Sequence, residues 1–286
     1  MTATARRTVP SSLSMYPSSA RVTDHFLGGD DHFGIDRVLA NAVARTAPYW
    51  QLSIMINRAH AVWATEQLTR QGFEQFLDLG CGYPPPWSRD LRDRTNWPLH
   101  QVVRRIRPEA AFVSVDSDPL VSVHARAAHA AGAAGDATFV AADATDVADL
   151  LGSPTLARLD MHRPIAVLLH DVLPWITDTH HVTTAMRALR TALPPGSALS
   201  LTHATADLHP LVVSEVADLF ATAGLPWAPR PRRTIAHLLG DWPLLGRGLV
   251  PTAQTHRGHR LHQSPPWTSA AYAAIALHPR RSTESR

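Results

Sequence analysis

Residues 75–82, Gln75-Phe76-Leu77-Asp78-Leu79-Gly80-Cys81-Gly82, join a short apolar run to a glycine-containing turn. The run predicts a buried strand, and the two glycines let the turn approach a ligand closely because they carry no side chain. In open α/β sheets, ligands bind beyond the carboxyl ends of the strands. We therefore predict that Asp78, Gly80 and Gly82 lie at a ligand-binding edge of a sheet.

The same turn does not match a dinucleotide-binding loop. Such a loop needs a third glycine three residues after the second, to let the helix pack closely against the strand. Here that position is Pro85, and Tyr83 crowds the place where a pyrophosphate would meet the helix. S-adenosylmethionine has no phosphate, so the turn favours this cofactor over NAD. An NAD-linked oxidoreductase remains as the weaker alternative.

From residue 73 onward, short apolar runs alternate with segments of helical periodicity, which is typical of an α/β fold with a mostly parallel sheet and helices on both faces. The predicted strands are 75–79, 111–115, 138–141, 165–169, 198–202, 248–254 and 270–277. The predicted helices are 99–106, 119–131, 146–159, 179–192, 208–223 and 232–239. We expect seven strands in all.

The chain divides into four predicted segments. Residues 1–16 are a disordered tail, 17–72 a helical cap of two or three helices, 73–279 the α/β domain, and 280–286 a second disordered tail. The proline- and tryptophan-rich stretch 83–98 precedes the first helix of the domain. It is interpreted either as a functional loop or as a surface insertion.

Acidic residues follow the second predicted strand. Asp116 ends that strand, and a carboxylate there can accept hydrogen bonds from both ribose hydroxyls of a bound adenosine. We expect the adjacent Ser117 to contact the cofactor as well. Asp118 precedes Pro119 and is interpreted instead as a helix N-cap.

The third predicted strand is also followed by acids. Asp143 is placed to accept a hydrogen bond from an adenine amino group, with Ala144 beside it as a further cofactor contact. Asp146 is interpreted as a second N-cap. Together with the turn after the first strand, these residues indicate a binding site for adenosine.

The fourth and fifth strands end in residues that could carry acid–base chemistry. His170 and Asp171 emerge from an apolar run at the same edge, and His203 follows the fifth strand. We take His170 as the first candidate for a general base and as a cofactor contact, His203 as the second candidate, and Asp171 as a third catalytic residue. The alternative is a structural His–Asp pair whose hydrogen bonds are satisfied.

Composition excludes several other classes. All 27 basic residues are arginine, so there is no Walker A lysine and no lysine to bind pyridoxal phosphate. The single cysteine and the irregularly spaced histidines predict no metal site. Scattered basic residues predict no nucleic-acid partner, and short apolar runs predict no membrane partner. We expect a cytoplasmic protein acting on a small molecule, with a homodimer left open.

The stretch from Pro17 to Phe33 supplies a resemblance. It reads P-S-S-A-R-V-T-D-H-F-L-G-G-D-D-H-F and resembles the actinobacterial S-adenosylmethionine-dependent methyltransferases of the DUF574 family. Further matches include Asn57-Arg58-Ala59 and Asp116-Ser117-Asp118-Pro119, and the resemblance covers about residues 17–278. It implies a Rossmann-like class I methyltransferase sheet with an N-terminal helical cap, and S-adenosylmethionine near Gly80, Asp116 and Asp143.

On this resemblance, the cap closes over the cofactor. Arg21 and Asp24 are then polar contacts, and Gly28-Gly29 form the turn. The sequence departs from the family in the loop after the first strand and at His170-Asp171, where the family has apolar residues. Both changes lie at the ligand edge and indicate a specialised acceptor pocket, for which the candidate aromatic residues are Trp50, Trp87, Trp97 and Trp175.

Two functions are compatible with these residues. In one, the methyl group passes to an oxygen, nitrogen or carbon atom of a small molecule from specialised metabolism. In the other, the protein binds S-adenosylmethionine without transferring its methyl group, as a regulator or as a cyclase that uses the charged cofactor.

Overall fold

Three helices precede the first strand. The computed structural model describes residues 15–84, 97–130, 137–154, 156–255 and 264–280, so most of the predicted tails and of the 83–98 stretch lie outside the described residues. The N-terminal helices are α1 (Ser19–Phe26), α2 (Gly34–Thr46) and α3 (Trp50–Arg70). Helix α1 begins where the Ser18 side chain accepts a hydrogen bond from the Arg21 amide.

Within the described residues, seven strands form one sheet. They are β1 (Gln75–Leu79), β2 (Ala111–Asp116), β3 (Thr138–Ala141), β4 (Ala166–His170), β5 (Ala198–Ala204), β6 (Val250–Pro251) and β7 (Ala271–Leu277). Their order is β3-β2-β1-β4-β5-β7-β6. Strands β1 to β5 are parallel, whereas β7 runs antiparallel to both β5 and β6. The expected mostly parallel α/β sheet is therefore confirmed.

In the described part of the chain, six more α-helices connect or follow the strands. They are α4 (Leu99–Ile106), α5 (Pro119–Ala130), α6 (Val147–Gly152), α7 (Thr179–Ala192), α8 (Pro210–Thr222) and α9 (Arg232–Leu239). Two of the predicted elements are shorter in the structure than the sequence indicates. Helix α6 ends at Gly152, shortly before Pro154, because glycine and proline are the weakest helix formers. The strand expected at 248–254 shrinks to β6, and a 3-10 turn follows at Thr252–Gln254.

The two faces of the sheet carry different side chains, since successive residues of a strand point to opposite faces. On one face, Phe76 and Leu168 pack with Ala61 and Leu68 of α3. On the other face, Leu77 and Leu169 pack in a core that also holds residues of α7 and α9. Helix α3 therefore covers one face of the sheet although it precedes the first strand. None of the helices that the structure describes is long and apolar enough to cross a membrane.

Candidate functional site

A cavity of about 340 Å³ lies at the carboxyl ends of the parallel strands. It is bounded by the loops after β1, β2, β3 and β4 and by residues of α1 and α3. Its volume is in the range usual for sites that bind small ligands. The predicted site residues that line it are Asp24, Asp78, Gly80, Gly82, Asp116, Ser117, Asp143, Ala144, His170 and Asp171.

The loop after β1 depends on its glycines. Gly80 has a φ of +72°, and a Cβ there would lie 2.4 Å from a methyl group of Val172. Gly82 has a φ of +63°, but a Cβ there would meet no atom within 4 Å, because the position opens onto free space. Gly80 is thus required by packing. Gly82 keeps the loop surface clear for a ligand, as the sequence predicts.

Asp116 lies at the end of β2 and holds this loop. Its Oδ2 accepts a hydrogen bond from the Gly82 amide at 2.8 Å, and its Oδ1 accepts one from the Asp118 amide at 2.9 Å. Burial raises the pKa of Asp116, and these backbone hydrogen bonds oppose that rise. Each carboxylate oxygen has a second lone pair, so Asp116 can still accept hydrogen bonds from a ligand.

The two predicted N-caps are confirmed. Asp118 accepts a hydrogen bond from the Leu120 amide in the first turn of α5, and Asp146 accepts one from the Asp149 amide in α6. Asp118 also accepts a hydrogen bond from the Ser18 hydroxyl at 2.7 Å, which ties the start of α1 to the start of α5. The carboxylates of Asp118 and Asp146 therefore have structural roles as helix caps.

Asp143 lies in the turn after β3. Its Oδ1 accepts hydrogen bonds from the amide and the hydroxyl of Thr145, at 2.7 and 2.6 Å. The residue is exposed, and it borders the cavity together with Ala144. A ligand can therefore reach Asp143 without any rearrangement of the turn.

Asp78 and Arg58 face the cavity from β1 and α3. Asp78 is buried, and burial raises its pKa to about 7; the positive charge of Arg58 opposes this rise and the Asp116 carboxylate adds to it. Arg58 donates a hydrogen bond from Nη2 to the backbone oxygen of Trp97 at 2.6 Å. Arg58 and its neighbour Asn57 both line the cavity, and neither is among the site residues that the strand ends predict.

His170 ends β4 on the face of the sheet that α3 covers. Its Nε2 lies 2.9 Å from the Ser200 hydroxyl, and its ring meets that of His60 edge-on at 6.0 Å between centroids. Burial, together with the charge of Arg58, lowers the pKa of His170 to about 3. The imidazole is therefore neutral at physiological pH and a weak proton acceptor.

Asp171 follows in an unusual conformation. Its φ of +62° places it in the left-handed region, where a residue with a side chain is strained. Its amide donates a hydrogen bond to the Thr202 oxygen, but its carboxylate has no hydrogen-bonding partner among the residues that the structure describes. Burial raises the pKa of Asp171 to about 7. Asp171 is thus suited to accept a proton near neutral pH, and it shares this property with Asp78, whose pKa is also raised to about 7.

His203 lies outside the cavity. It is on the opposite face of the sheet from His170, where its Nδ1 donates to the Ala204 oxygen at 2.8 Å and its Nε2 accepts from Arg230 at 3.1 Å. Both ring nitrogens are occupied and the side chain is fully buried. His203 is therefore not placed to act as a base on a ligand in the cavity.

Arg21, Gly28 and Gly29 also do not line the cavity. Arg21 is buried against Asp36, with 2.7 Å between Nε and Oδ2. Gly28 and Gly29 end α1 through hydrogen bonds to His25 and Asp24. A Cβ at Gly29 would lie 1.8 Å from the Asp24 carboxylate, so this glycine leaves room for Asp24. These residues shape α1 and the turn that follows it, and of the four predicted contacts in this segment only Asp24 reaches the cavity.

Apolar side chains line another part of the cavity. They are Leu27, Ile54, Trp175, Ile176 and Leu225. Behind them, Trp175, Trp50, Phe220 and Trp227 pack ring against ring, with centroids 5.1 to 6.4 Å apart. Of the four predicted aromatic residues, Trp175 lines the cavity and Trp50 supports it from behind. Trp97 does not line it, and Trp87 lies outside the described residues.

Comparison with known proteins agrees with this arrangement. The model of the S-adenosyl methyltransferase family matches residues 6–279. A DUF574 family protein from Streptomyces avermitilis is 27% identical, with a TM-score of 0.84 over 93% of this chain and 99% of that one. A methyltransferase candidate from Thermobifida fusca is 30% identical, with a TM-score of 0.81 over 94% and 98%.

The fold is shared more widely. An O-methyltransferase family protein from Burkholderia thailandensis is 15% identical, with a TM-score of 0.51 over 77% of this chain and 56% of that one. At this identity the likeness concerns the fold alone. No curated protein matches the sequence.

Proposed function

The chain belongs to the S-adenosyl methyltransferase family, and on this premise we propose that its acceptor is a neutral, largely apolar small molecule that loses a proton to Asp171. It is thus an S-adenosylmethionine-dependent methyltransferase. When bound, S-adenosylmethionine supplies an electrophilic methyl group on a positively charged sulfur. The observation that carries the proposal is the carboxylate of Asp171, which borders the cavity without a hydrogen-bonding partner in the described part of the chain.

The edge formed by β1, β2 and β3 suits the adenosine part of the cofactor. Gly82 leaves the loop surface open, Asp116 has free lone pairs for two ribose hydroxyls, and Asp143 is exposed at the cavity border. We assign Asp116 to the ribose and Asp143 to the adenine amino group, with Ser117 and Ala144 beside them. Family membership favours this cofactor over the nicotinamide alternative.

The charge of the cavity supports a cationic cofactor. Its lining includes the five aspartates Asp24, Asp78, Asp116, Asp143 and Asp171. Among the described lining residues, Arg58 is the only arginine. Negative potential attracts the sulfonium and repels an acidic acceptor, because charges inside a cavity are poorly screened. The same argument disfavours a nucleic acid as the acceptor.

Asp171 is a better general base than either histidine. A base works best when its pKa lies near the working pH. The pKa of Asp171 is raised to about 7, whereas burial lowers that of His170 to about 3. We propose that Asp171 takes the proton released by a hydroxyl or amine of the acceptor as it is methylated. His170, held by Ser200, then serves as a neutral hydrogen-bonding group.

The apolar part of the cavity indicates what the rest of the acceptor is. Leu27, Ile54, Trp175, Ile176 and Leu225 offer it no charge, so a ring or hydrocarbon skeleton fits there best. The aromatic residues behind Trp175 keep this wall rigid. Holding the acceptor in line with the methyl group can lower the barrier by about 7–11 kcal/mol.

The proposal is tested by incubating the protein with S-adenosylmethionine that carries a deuterated methyl group. Neutral phenols and aromatic amines are compared with matched benzoic acids, and the products are analysed by mass spectrometry. We expect label in neutral acceptors only, and very little label with Asp171→Asn. Labelling of the carboxylic acids alone would contradict the proposal.

A further inference from the structure

Helix α3 brings a buried positive charge to the cavity. The Nε atom of Arg58 is shut off from solvent and has no hydrogen-bonding partner in the described structure, although Nη2 is bound to Trp97. A buried charged donor without a partner is costly, so such groups are normally satisfied by a protein group, a water or a ligand. Arg58 also borders the cavity and is the only arginine among its described lining residues, so we expect its guanidinium to meet a ligand anion there.

Two hydrogen-bond acceptors lie close to this donor. Asn57, the preceding residue of α3, is 8% exposed, and its Oδ1 is buried without a hydrogen-bonding partner among the described residues. Asp78 faces the same space from β1 and is likewise buried. Arg58 and Asp78 influence each other electrostatically, yet they are not among the ion pairs in contact within the described residues. The site thus offers two acceptors, Asn57 and Asp78, and one donor, Arg58, and Arg58 and Asp78 do not form an ion pair with each other.

A ligand that carries both charges would fill this gap. An α-amino acid has an ammonium group, which donates hydrogen bonds, and a carboxylate, which accepts them. We propose that Arg58 and Asn57 of α3, facing Asp78 of β1, hold the zwitterionic amino-acid end of the cofactor, with Arg58 binding its carboxylate. Asp78 and Asn57 then bind its ammonium group. This inference rests on the proposed cofactor site and adds a recognition element to it.

The fold explains why this subsite is rigid. Helix α3 packs on the sheet through Ala61, Val62 and Leu68, against Phe76 of the strand that also carries Asp78. Asp78 lies two residues after Phe76 and so projects from the same face of the sheet. The three groups therefore sit on two elements, α3 and β1, that pack in one hydrophobic core.

Decarboxylated S-adenosylmethionine tests the role of Arg58, because it keeps the sulfonium and the amine but lacks the carboxylate. Calorimetric titration of the wild-type protein should show that this compound binds about 10- to 100-fold more weakly than S-adenosylmethionine. Arg58→Met should weaken binding of S-adenosylmethionine by a similar factor, while changing that of the decarboxylated compound by no more than about threefold. Arg58→Lys should recover part of the loss.

Two further variants make the pattern specific. Asn57→Leu should weaken both compounds alike, since both keep the ammonium group. Arg126→Met, which removes an exposed arginine of α5, should change neither. If Arg58→Met failed to fold, the wild-type comparison would still decide, because equal affinity for the two compounds overturns the inference. Loss of affinity for both compounds in folded Arg58→Met would also overturn it. If S-adenosylmethionine itself did not bind, the proposed cofactor site would be wrong.

Discussion

The Asp116 carboxylate at the end of β2 accepts a hydrogen bond from the Gly82 amide at 2.8 Å, and so ties the glycine loop after β1 to the neighbouring strand. The same carboxylate is held from the other side by the Asp118 amide. The acid assigned to the ribose is therefore fixed before the cofactor arrives, and less conformational freedom is lost on binding.

Asp116→Ala should weaken binding of S-adenosylhomocysteine by about 1–3 kcal/mol, because the ribose hydroxyls lose their acceptor. Calorimetric titration measures the change. Asp118→Asn is the matched control, since asparagine caps a helix as well as aspartate does and Asp118 is not assigned to the ribose. Unchanged affinity in folded Asp116→Ala would reject the assignment.

The two glycines of the loop should respond differently to alanine. Gly80→Ala places a methyl group 2.4 Å from Val172, in addition to the cost of a positive φ, and should lower the melting temperature strongly. Gly82→Ala meets no atom within 4 Å and should cost only about 1–2 kcal/mol of stability. Cofactor affinity should nevertheless fall in Gly82→Ala, because its methyl group occupies free space beside the loop. Equal melting temperatures of the two variants would contradict this account.

The proposed base predicts a pH dependence of methyl transfer. Asp171 accepts a proton only while it is ionised, so kcat/KM should fall as the pH drops below about 7, the value to which burial raises its pKa. Asp171→Asn should lower kcat by about 10²- to 10⁴-fold and remove this acidic limb, with little change in cofactor affinity. If the variant kept the same fall of kcat/KM at acidic pH, that fall would be caused by a titratable group other than Asp171.

The same residue predicts an effect on stability. Because the pKa of Asp171 is about 7 in the folded protein and 3.8 ordinarily, the folded state binds the proton more tightly than the unfolded state. Stability is therefore lost as the pH rises from about 4 to about 7, and the loss is constant above that. Asp171→Asn should melt at a higher temperature than the wild type at pH 7.5, and the difference should shrink at pH 5. Scanning calorimetry at both values gives the comparison, and a difference that stayed the same at pH 7.5 and pH 5 would show that the pKa of Asp171 is not raised in the native state.

Much of the fold could be predicted from the sequence because its strands are short apolar runs followed by polar residues. β1 and β3 begin and end where periodicity places them, and the acids after β2 and β3 do reach one cavity. Parallel strands bring their carboxyl ends together, so the position of a residue at a strand end already indicates its neighbours. This reasoning fails for His203, because β5 is buried on both faces and its last residues alternate between them.

The contribution of α3 could not be predicted from strand ends. Arg58 lies in a helix before the first strand, and only its packing on the sheet brings it beside Asp78. One signal was present: Asn57-Arg58 lies between the apolar run Ile54-Met55-Ile56 and Ala59, where a charged residue needs a partner. Arg21, by contrast, is satisfied locally by Asp36, a residue that sequence reasoning had no means to pair with it.

The site is tested most directly by a crystal structure of the protein with S-adenosylhomocysteine bound. We predict the adenine amino group beside Asp143, the ribose hydroxyls on Asp116, and the amino-acid carboxylate on Arg58, with the sulfur on the side of Asp171. A ligand bound in the opposite direction, with its amino-acid end at Asp143, or bound away from the β1 loop, would contradict this account.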